Sequence, residues 1–264
     1  MRIAILGARG FLGSYLTEFL FHNHYIIPVY RDTVNLENFF AVDNWLRENN
    51  PDVVINCAIS GGGKNVNDIN YTDVQRNLNM FFSFYNSSLK FKYINIGSGA
   101  EFDRSKPISN ASEYEIFDHT PMDTYGFSKN TIAKAVLKRD NFYTLRLFGC
   151  FDASEPDIRV FKKFKKDGKI SITDKYFDTI SAEDFGRIVE YFCINDPDVK
   201  DVNCVYEKKT LLSEQLRLFA KYHISCGQID SDIKMGNNYT GYGQALKELK
   251  IPLLGLEESI KRYE

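Results

Sequence analysis

The residues best suited to chemistry lie in Tyr125-Gly126-Phe127-Ser128-Lys129, at the start of a segment whose spacing predicts a helix through Leu137. Four residues apart on a helix, a phenol and an ammonium share one face. A phenol titrating near its unperturbed value of about 10 is a poor acid-base group at neutral pH. A neighbouring ammonium favours the phenolate and brings that value down. Tyr125 and Lys129 are therefore a candidate proton-transfer pair, although the same spacing also arises on ordinary surface helices. A hydroxyl, Ser98, follows the apolar run Lys92 to Ile96 in Ile96-Gly97-Ser98-Gly99-Ala100-Glu101-Phe102. Three glycines punctuate Gly7-Ala8-Arg9-Gly10-Phe11-Leu12-Gly13, directly after another apolar run. Missing side chains at Gly7, Gly10 and Gly13 admit a pyrophosphate to the backbone of the turn, which also carries Phe11 and Leu12, and the N-terminus of the helix that follows supplies N–H groups and positive dipole character. A tight turn without a ligand would use the same residues.

The elements that must hold these groups follow from the apolar pattern. Arg2 to Leu6, Tyr25 to Tyr30, Asp52 to Cys57, Lys92 to Ile96 and Phe142 to Leu147 read as short buried strands. Between them, Ser14 to Phe21, Leu36 to Asn49, Thr72 to Leu89 and Tyr125 to Leu137 carry helical spacing. Strands of five or six residues alternating with longer helices predict an α/β fold, a Rossmann-type doubly wound parallel sheet. In such a sheet, ligands bind beyond the carboxyl ends of the strands, which would put Ser98 on the same crevice as the glycine turn. Past Gly149 the alternation weakens. Glu183 to Ile194, Ser213 to Tyr222 and Leu256 to Tyr263 read as helices. The division expected is a dinucleotide-binding domain over residues 1–150 and a smaller C-terminal substrate-binding lobe over 151–264, with about 175–200 returning to the first.

Composition narrows the function classes. A chain of 264 residues with a formal net charge of -2 has a full core and no excess of basic groups for a nucleic-acid polymer. Its one basic run, Phe161 to Lys166, has the look of a solvated helix face. The five cysteines, Cys57, Cys150, Cys193, Cys204 and Cys226, are scattered and lack metal or dithiol spacing, so reduced thiols and no metal are expected. His22 and His24 read as polar surface, and His119 and His223 have no ligand pattern. The first residues lack a leader pattern and no run reaches membrane-spanning length, so a cytoplasmic protein without membrane contact is expected.

After the second strand the chain reads Tyr30-Arg31-Asp32. An acidic residue there serves the ribose hydroxyls of NAD, and an arginine accommodates the 2'-phosphate of NADP. Arg31, with Arg9 in the turn, favours NADP; Asp32 keeps NAD open.

Taken together, the glycine turn, Asn56-Cys57-Ala58, Ser98, the Tyr125 and Lys129 pair and Leu145-Arg146-Leu147-Phe148-Gly149 resemble the extended short-chain dehydrogenase/reductase family of nucleotide-sugar epimerases, dehydratases and reductases. Phe177-Asp178-Thr179-Ile180-Ser181-Ala182-Glu183-Asp184 resembles its later segment beside the substrate lobe, and Ile59 to Asn65 a glycine-rich loop of its GDP-fucose synthase branch. The resemblance implies that Tyr125 transfers the proton, Lys129 tunes it and holds the nicotinamide ribose, and Ser98 hydrogen-bonds the reacting oxygen. It further implies that Cys57, Ala58 and Asn77 line the cofactor, Asn77 being equally an ordinary helix residue, and that the chain forms a homodimer through the Thr72 and Tyr125 helices. Dehydratases of the family carry an Asp-Glu pair after the serine or threonine, where this chain has Gly99 and Ala100. Epimerising reductases carry a cysteine at the place of Ala100. The expectation is an NADP-dependent reductase of a nucleotide-linked 4-keto-6-deoxysugar for surface polysaccharide. A C4 epimerase with tightly bound NAD, or a non-catalytic nucleotide-binding scaffold, are the alternatives.

Overall fold

The computed structural model describes residues 1–61, 69–225, 227–231 and 234–264. Gly62 to Asn65 of the glycine-rich stretch, and Cys226, lie outside the described residues. Strands and helices first alternate as β1 (Arg2–Leu6), α1 (Phe11–Phe21), β2 (Tyr25–Val29), α2 (Phe39–Asn49), β3 (Val53–Asn56), α3 (Tyr71–Tyr85), β4 (Lys92–Ser98), β5 (Ile108–Ala111), α4 (Thr124–Val136) and β6 (Phe142–Leu147). A 3-10 turn, Gly99–Phe102, leaves β4, and a second, Glu113–Phe117, follows β5. The later chain adds β7 (Cys150–Phe151), α5 (Val160–Asp167), β8 (Lys169–Ile172), β9 (Ile180–Ser181), α6 (Ala182–Ile194), β10 (Asp201–Asn203), α7 (Leu212–His223), β11 (Gln228–Ser231), β12 (Tyr239–Gly241), α8 (Gln244–Glu248) and α9 (Leu256–Lys261).

Six strands form one parallel sheet in the order β10-β6-β4-β3-β1-β2. Its central strands are covered on both faces, which is why Ile3 to Ile5 and Val53 to Ile55 are continuously apolar and fully buried. Leu16 and Leu20 of α1 meet Phe185, Ile188 and Phe192 of α6 on one face. Trp45, Phe81, Phe84, Ile132 and Val136, from α2, α3 and α4, cover the other. This is the doubly wound Rossmann-type α/β fold that the alternation predicts. The chain passes from β1 to β2 on one side and then to β3 on the other, so the carboxyl ends of β1 and β3 form the switch point at which such sheets hold ligands.

Side-chain caps set several helix starts. Asn38 accepts from Ala41 N, Asn70 from Thr72 N and Asp73 N, and Ser181 from Asp184 N. Several boundaries differ from the sequence expectation for identifiable reasons. β2 stops at Val29 because Tyr30 opens a turn, its N–H donating to Thr33 Oγ1 at 3.0 Å. α3 stops at Tyr85, not Leu89, where Ser87 Oγ accepts from Leu89 N and donates to Asp43. β4 runs on through Ser98 because Gly97 and Ser98 still pair with Arg146 and Leu147 of β6. His24 is not surface: its side chain is 7% exposed and lies 3.3 Å from Glu190 where the end of α1 meets α6.

From the later chain, α6 and β10 join the sheet layer, whereas α5, α7, α9 and β8 gather around Phe151, Phe161, Phe164 and Phe219. Lys163, Lys165 and Lys166 of α5 face outward. The four cysteines among the described residues are free thiols, and no helix there is long and apolar enough to cross a membrane.

Beside this second cluster, Glu155 is buried, accepting from Tyr263 Oη at 3.0 Å and Lys162 N at 3.1 Å. Burial pushes its carboxyl up to about 7, the hydrogen bonds only partly opposing it. A carboxyl raised in the folded state favours folding fully below its unfolded value and loses that contribution as pH rises through the folded one, here about 3 kcal/mol in all. Glu155→Gln keeps both acceptor contacts and cannot ionise. Its melting temperature is expected to exceed the parent's at about pH 8 and to match it near pH 4. Thermal melts across that range check this, and equal slopes for the two proteins would refute it.

Candidate active site

At the end of β1, Gly7 adopts a left-handed φ of 74°, and a Cβ there would lie 2.9 Å from Ala58 Cα, so the turn and the end of β3 are in contact. A Cβ on Gly13 would fall 2.2 Å from Gly7 O. Only glycine fits this turn, which Gly10 N closes onto Gly7 O at 2.9 Å. α1 then begins at Phe11 and Leu12 with no side-chain cap and no acidic residue in its first turn. Its N–H groups and dipole face the switch point in the arrangement that suits a pyrophosphate. Cys57 and Ala58 sit across from it: Cys57 N donates to Leu6 O, and Ala58 N to Asn56 Oδ1. Burial pushes the Cys57 thiol up to about 12 against the opposing charge of Lys129, so it is an inert wall here.

Two arginines stand at the outer rim. Arg9 lies over the Tyr30 ring, 4.4 Å from its centroid, and approaches Asp32 at 3.5 Å; both charged groups are well exposed. Arg31 is exposed beside them. Asn77 has a structural engagement: Oδ1 accepts from Ser60 N at 2.7 Å, and Nδ2 donates to Ser60 O and Ser128 Oγ. It ties the chain leaving β3 to α3 and α4.

Ser98 is the last residue of β4. Its backbone N–H donates to Glu101 Oε1 at 2.8 Å, and its hydroxyl oxygen accepts from Ala100 N at 3.2 Å. Glu101 is clamped in turn by Arg146 of β6, Nε to Oε2 at 2.6 Å. Arg146 also donates to Asp201 at 2.7 Å and Asn203 at 2.9 Å, so β6, β10 and the turn after β4 meet on one fully buried guanidinium. Burial pushes the Glu101 and Asp201 carboxyls up, with Arg146 pulling them back down.

Asp123 caps α4, accepting from Gly126 N at 2.8 Å, and its carboxylate also holds Arg104 at 2.6 Å. The Arg104 guanidinium lies 5.5 Å from the centroid of the Tyr125 ring. One turn on, the buried Lys129 donates from Nζ to Ile96 O at 2.6 Å, placing its charge between the ends of β3 and β4. Asn130 bonds Glu101 O and Ile116 O and fixes α4 against the turn that follows Ser98.

Ser98, Tyr125 and Lys129 therefore gather at the carboxyl end of β4, two strands from the glycine turn. Sequence reasoning missed three groups beside them. Tyr239 of β12 packs edge-on against Phe148 at 5.1 Å, its Cζ 2.9 Å from where a Cβ on Gly99 would stand. Lys175 lies 5.1 Å from the Phe177 ring centroid and 5.8 Å from that of Tyr239, its ammonium destabilised by burial and then by Arg104. Arg104 itself had one legible signal, its place six residues after Ser98.

A glycine turn at a topological switch point, with a Ser, Tyr and Lys set at neighbouring strand ends, defines a Rossmann-type protein of the short-chain reductase pattern. Residues 3–151 match the NAD dependent epimerase/dehydratase family, and the chain belongs to it. No curated protein matches the sequence. Among solved structures, the GDP-mannoheptose C4 reductase of Campylobacter jejuni with NADP bound superposes with a TM-score of 0.81 at 17% identity, over 98% of this chain and 96% of that one. The dTDP-4-dehydrorhamnose reductase of Clostridium acetobutylicum gives 0.80 at 18%, over 100% and 98%. That of Bacillus anthracis, in complex with NADP, gives 0.82 at 14%, over 99% and 96%. At these identities the likeness is one of fold.

Arg146→Met leaves two buried carboxylates unpaired and is expected to cost about 3–5 kcal/mol of stability in urea denaturation. Carboxyls whose pKa values are raised in the folded state destabilise it as pH rises, so the deficit should be larger at about pH 8 than at about pH 5. A loss below about 1 kcal/mol would show that the network contributes little.

Proposed function

We propose that this protein is an NADP-dependent reductase acting on a nucleotide-linked 4-keto-6-deoxysugar, in the making of a sugar for surface polysaccharide. The observation that carries the reading is the gathering of Ser98, Tyr125 and Lys129 at one strand end, with an uncapped helix N-terminus at the adjacent switch point. NADPH supplies the hydride when bound. The developing alkoxide then needs a proton and a hydrogen bond, and Tyr125 and Ser98 are the groups to give them. An ammonium has three donors, and Lys129 gives one to Ile96 O, leaving two for the nicotinamide ribose and the phenol.

The position after Ser98 argues for plain reduction over dehydration. A Cβ on Gly99 would lie 2.5 Å from Phe148 Cδ1 and 2.9 Å from Tyr239 Cζ, so the acid that dehydratases place there has no room. Lys175, beside the ion pair of Arg104 and Asp123, adds a positive charge near Tyr239, which supports an anionic substrate such as a sugar linked to a nucleotide diphosphate. For the cofactor, the approach of Arg9 to Asp32 at 3.5 Å and the exposed Arg31 beside it support the reading that Arg9 and Arg31 receive a 2'-phosphate.

Purified protein supplied with a panel of nucleotide-linked 4-keto sugars is expected to oxidise NADPH in step with product. Tyr125→Phe should lower kcat by about 10²–10⁴ without weakening NADPH binding. Unchanged turnover in this variant would overturn the catalytic reading. Arg31→Ala should weaken NADPH about tenfold, the worth of one charged hydrogen bond, and leave NADH binding as it was. Fluorescence titration with both nucleotides reads the difference, and equal weakening of both would remove Arg31 from the 2'-phosphate site.

A further inference from the structure

The segment that opens with β7 lies against the start of α1. Cys150 shares an apolar cluster with Ala8 and Leu16, and Phe11 and Tyr15 pack against the same cluster. Further along this segment, the Arg159 guanidinium lies 5.8 Å from the centroid of the Phe11 ring, within cation–π reach. Phe11 is the first residue of α1 and follows Gly10, so this charge stands one side chain away from the N–H groups of the glycine turn. Its main chain is anchored. Arg159 N donates to Pro156 O at 2.9 Å, and Arg159 O accepts from Lys163 N at 2.8 Å at the start of α5.

Three acids share the segment, and each is engaged elsewhere. Asp157 pairs with Lys166 at 2.6 Å, Glu155 accepts from Tyr263 Oη at 3.0 Å and Lys162 N at 3.1 Å, and Asp152 accepts from Ser154 N at 2.8 Å. Arg159 has no ion-pair partner among the described residues, and the first turn of α1 carries no acid. Two sources of positive potential therefore adjoin a cradle that Gly7 and Gly13 keep open. In the sheet, β6 lies on the far side of β1 from β2. The chain that follows β6 thus comes to the turn from the side opposite β2, whose end carries Arg31.

We propose that Arg159 binds the diphosphate bridge of the dinucleotide held at this turn. The inference rests on the cofactor reading given above and is independent of which sugar is reduced. A planar guanidinium suits a diphosphate because two of its N–H groups can meet two oxygens at once. The Phe11 ring steadies that guanidinium, and the first N–H groups of α1, which have no intrahelical partner, remain for the other oxygens.

Arg159→Met keeps an apolar stem beside Phe11 and removes the charge. Fluorescence titration should show NADPH and NADH both weakened about tenfold, the worth of one charged hydrogen bond, because both carry the diphosphate. The pattern is the converse of Arg31→Ala, which should spare NADH. Adenosine 2'-monophosphate has no diphosphate and should bind parent and variant alike in a calorimetric titration. Unchanged affinity for both dinucleotides would overturn the proposal. So would weakening of NADPH alone, which marks the 2'-phosphate, or equal weakening of adenosine 2'-monophosphate, which marks a disturbed fold. GDP probes the other diphosphate, the one a nucleotide-linked sugar would bring. A variant that loses GDP and keeps both dinucleotides would place Arg159 at the substrate and overturn the proposal. A parent that binds neither dinucleotide would sink the cofactor reading and the proposal together. One that binds them and reduces no keto sugar would fail the reductase reading alone.

Discussion

The site depends on one buried guanidinium. Arg146 sits mid-sheet with no exposed surface, and it joins Glu101 after β4 to Asp201 and Asn203 of β10. Taking such a charge out of water is costly, and only close, well-aligned partners offset the cost. Here burial works against the guanidinium, while Asp201 and Glu101 more than compensate and hold it charged. The reward is geometric. The carboxylate that receives Arg146 is the same one that receives the backbone N–H of Ser98. The order of the sheet is thereby transmitted to the position of a hydroxyl.

Glu101 also sets the second element of the site. Its carbonyl accepts from Asn130, one residue beyond Lys129, so the helix carrying the tyrosine and lysine is registered on the turn that carries the serine. Asp123 fixes the other end of that register by capping α4 and drawing Arg104 across the Tyr125 ring. Three groups from separate segments are thus located by a short chain of bonds through Glu101, Asn130 and Asp123. Each of these is almost fully buried, where a polar group left without a partner would be destabilising.

The parts of this arrangement visible in sequence were those encoded locally. Continuous apolar runs announced β1, β3 and β4, because strands covered on both faces need no polar alternation. Glycine spacing announced the turn, because Gly7 and Gly13 have no space for a side chain. What was hidden lies in pairings between distant residues. β10 has three residues, too few for any period, and Arg146 looks like a charged interruption of an apolar strand until Asp201 is brought alongside. Tyr239 sits in an equally short strand whose register with β5 is irregular. Boundaries slipped where side chains compete with the backbone, as Ser87 does beyond α3 and Thr33 beyond β2.

The two halves of the chain contribute differently to the site, and the difference is physical. Ser98, Tyr125 and Lys129 are mounted on β4 and α4, elements locked into a sheet core, so their spacing tolerates little change. Lys175 arrives on a connecting segment and Tyr239 on the short strand β12, both held mainly by aromatic contacts and a few backbone bonds. Such segments can alter their side chains without disturbing the sheet. A Ser, Tyr and Lys set on a rigid frame thus stands beside a wall whose shape and charge can vary without disturbing the sheet. Gly99 shows where the two meet: the wall presses so closely on the strand end that it governs which acids can stand beside the serine.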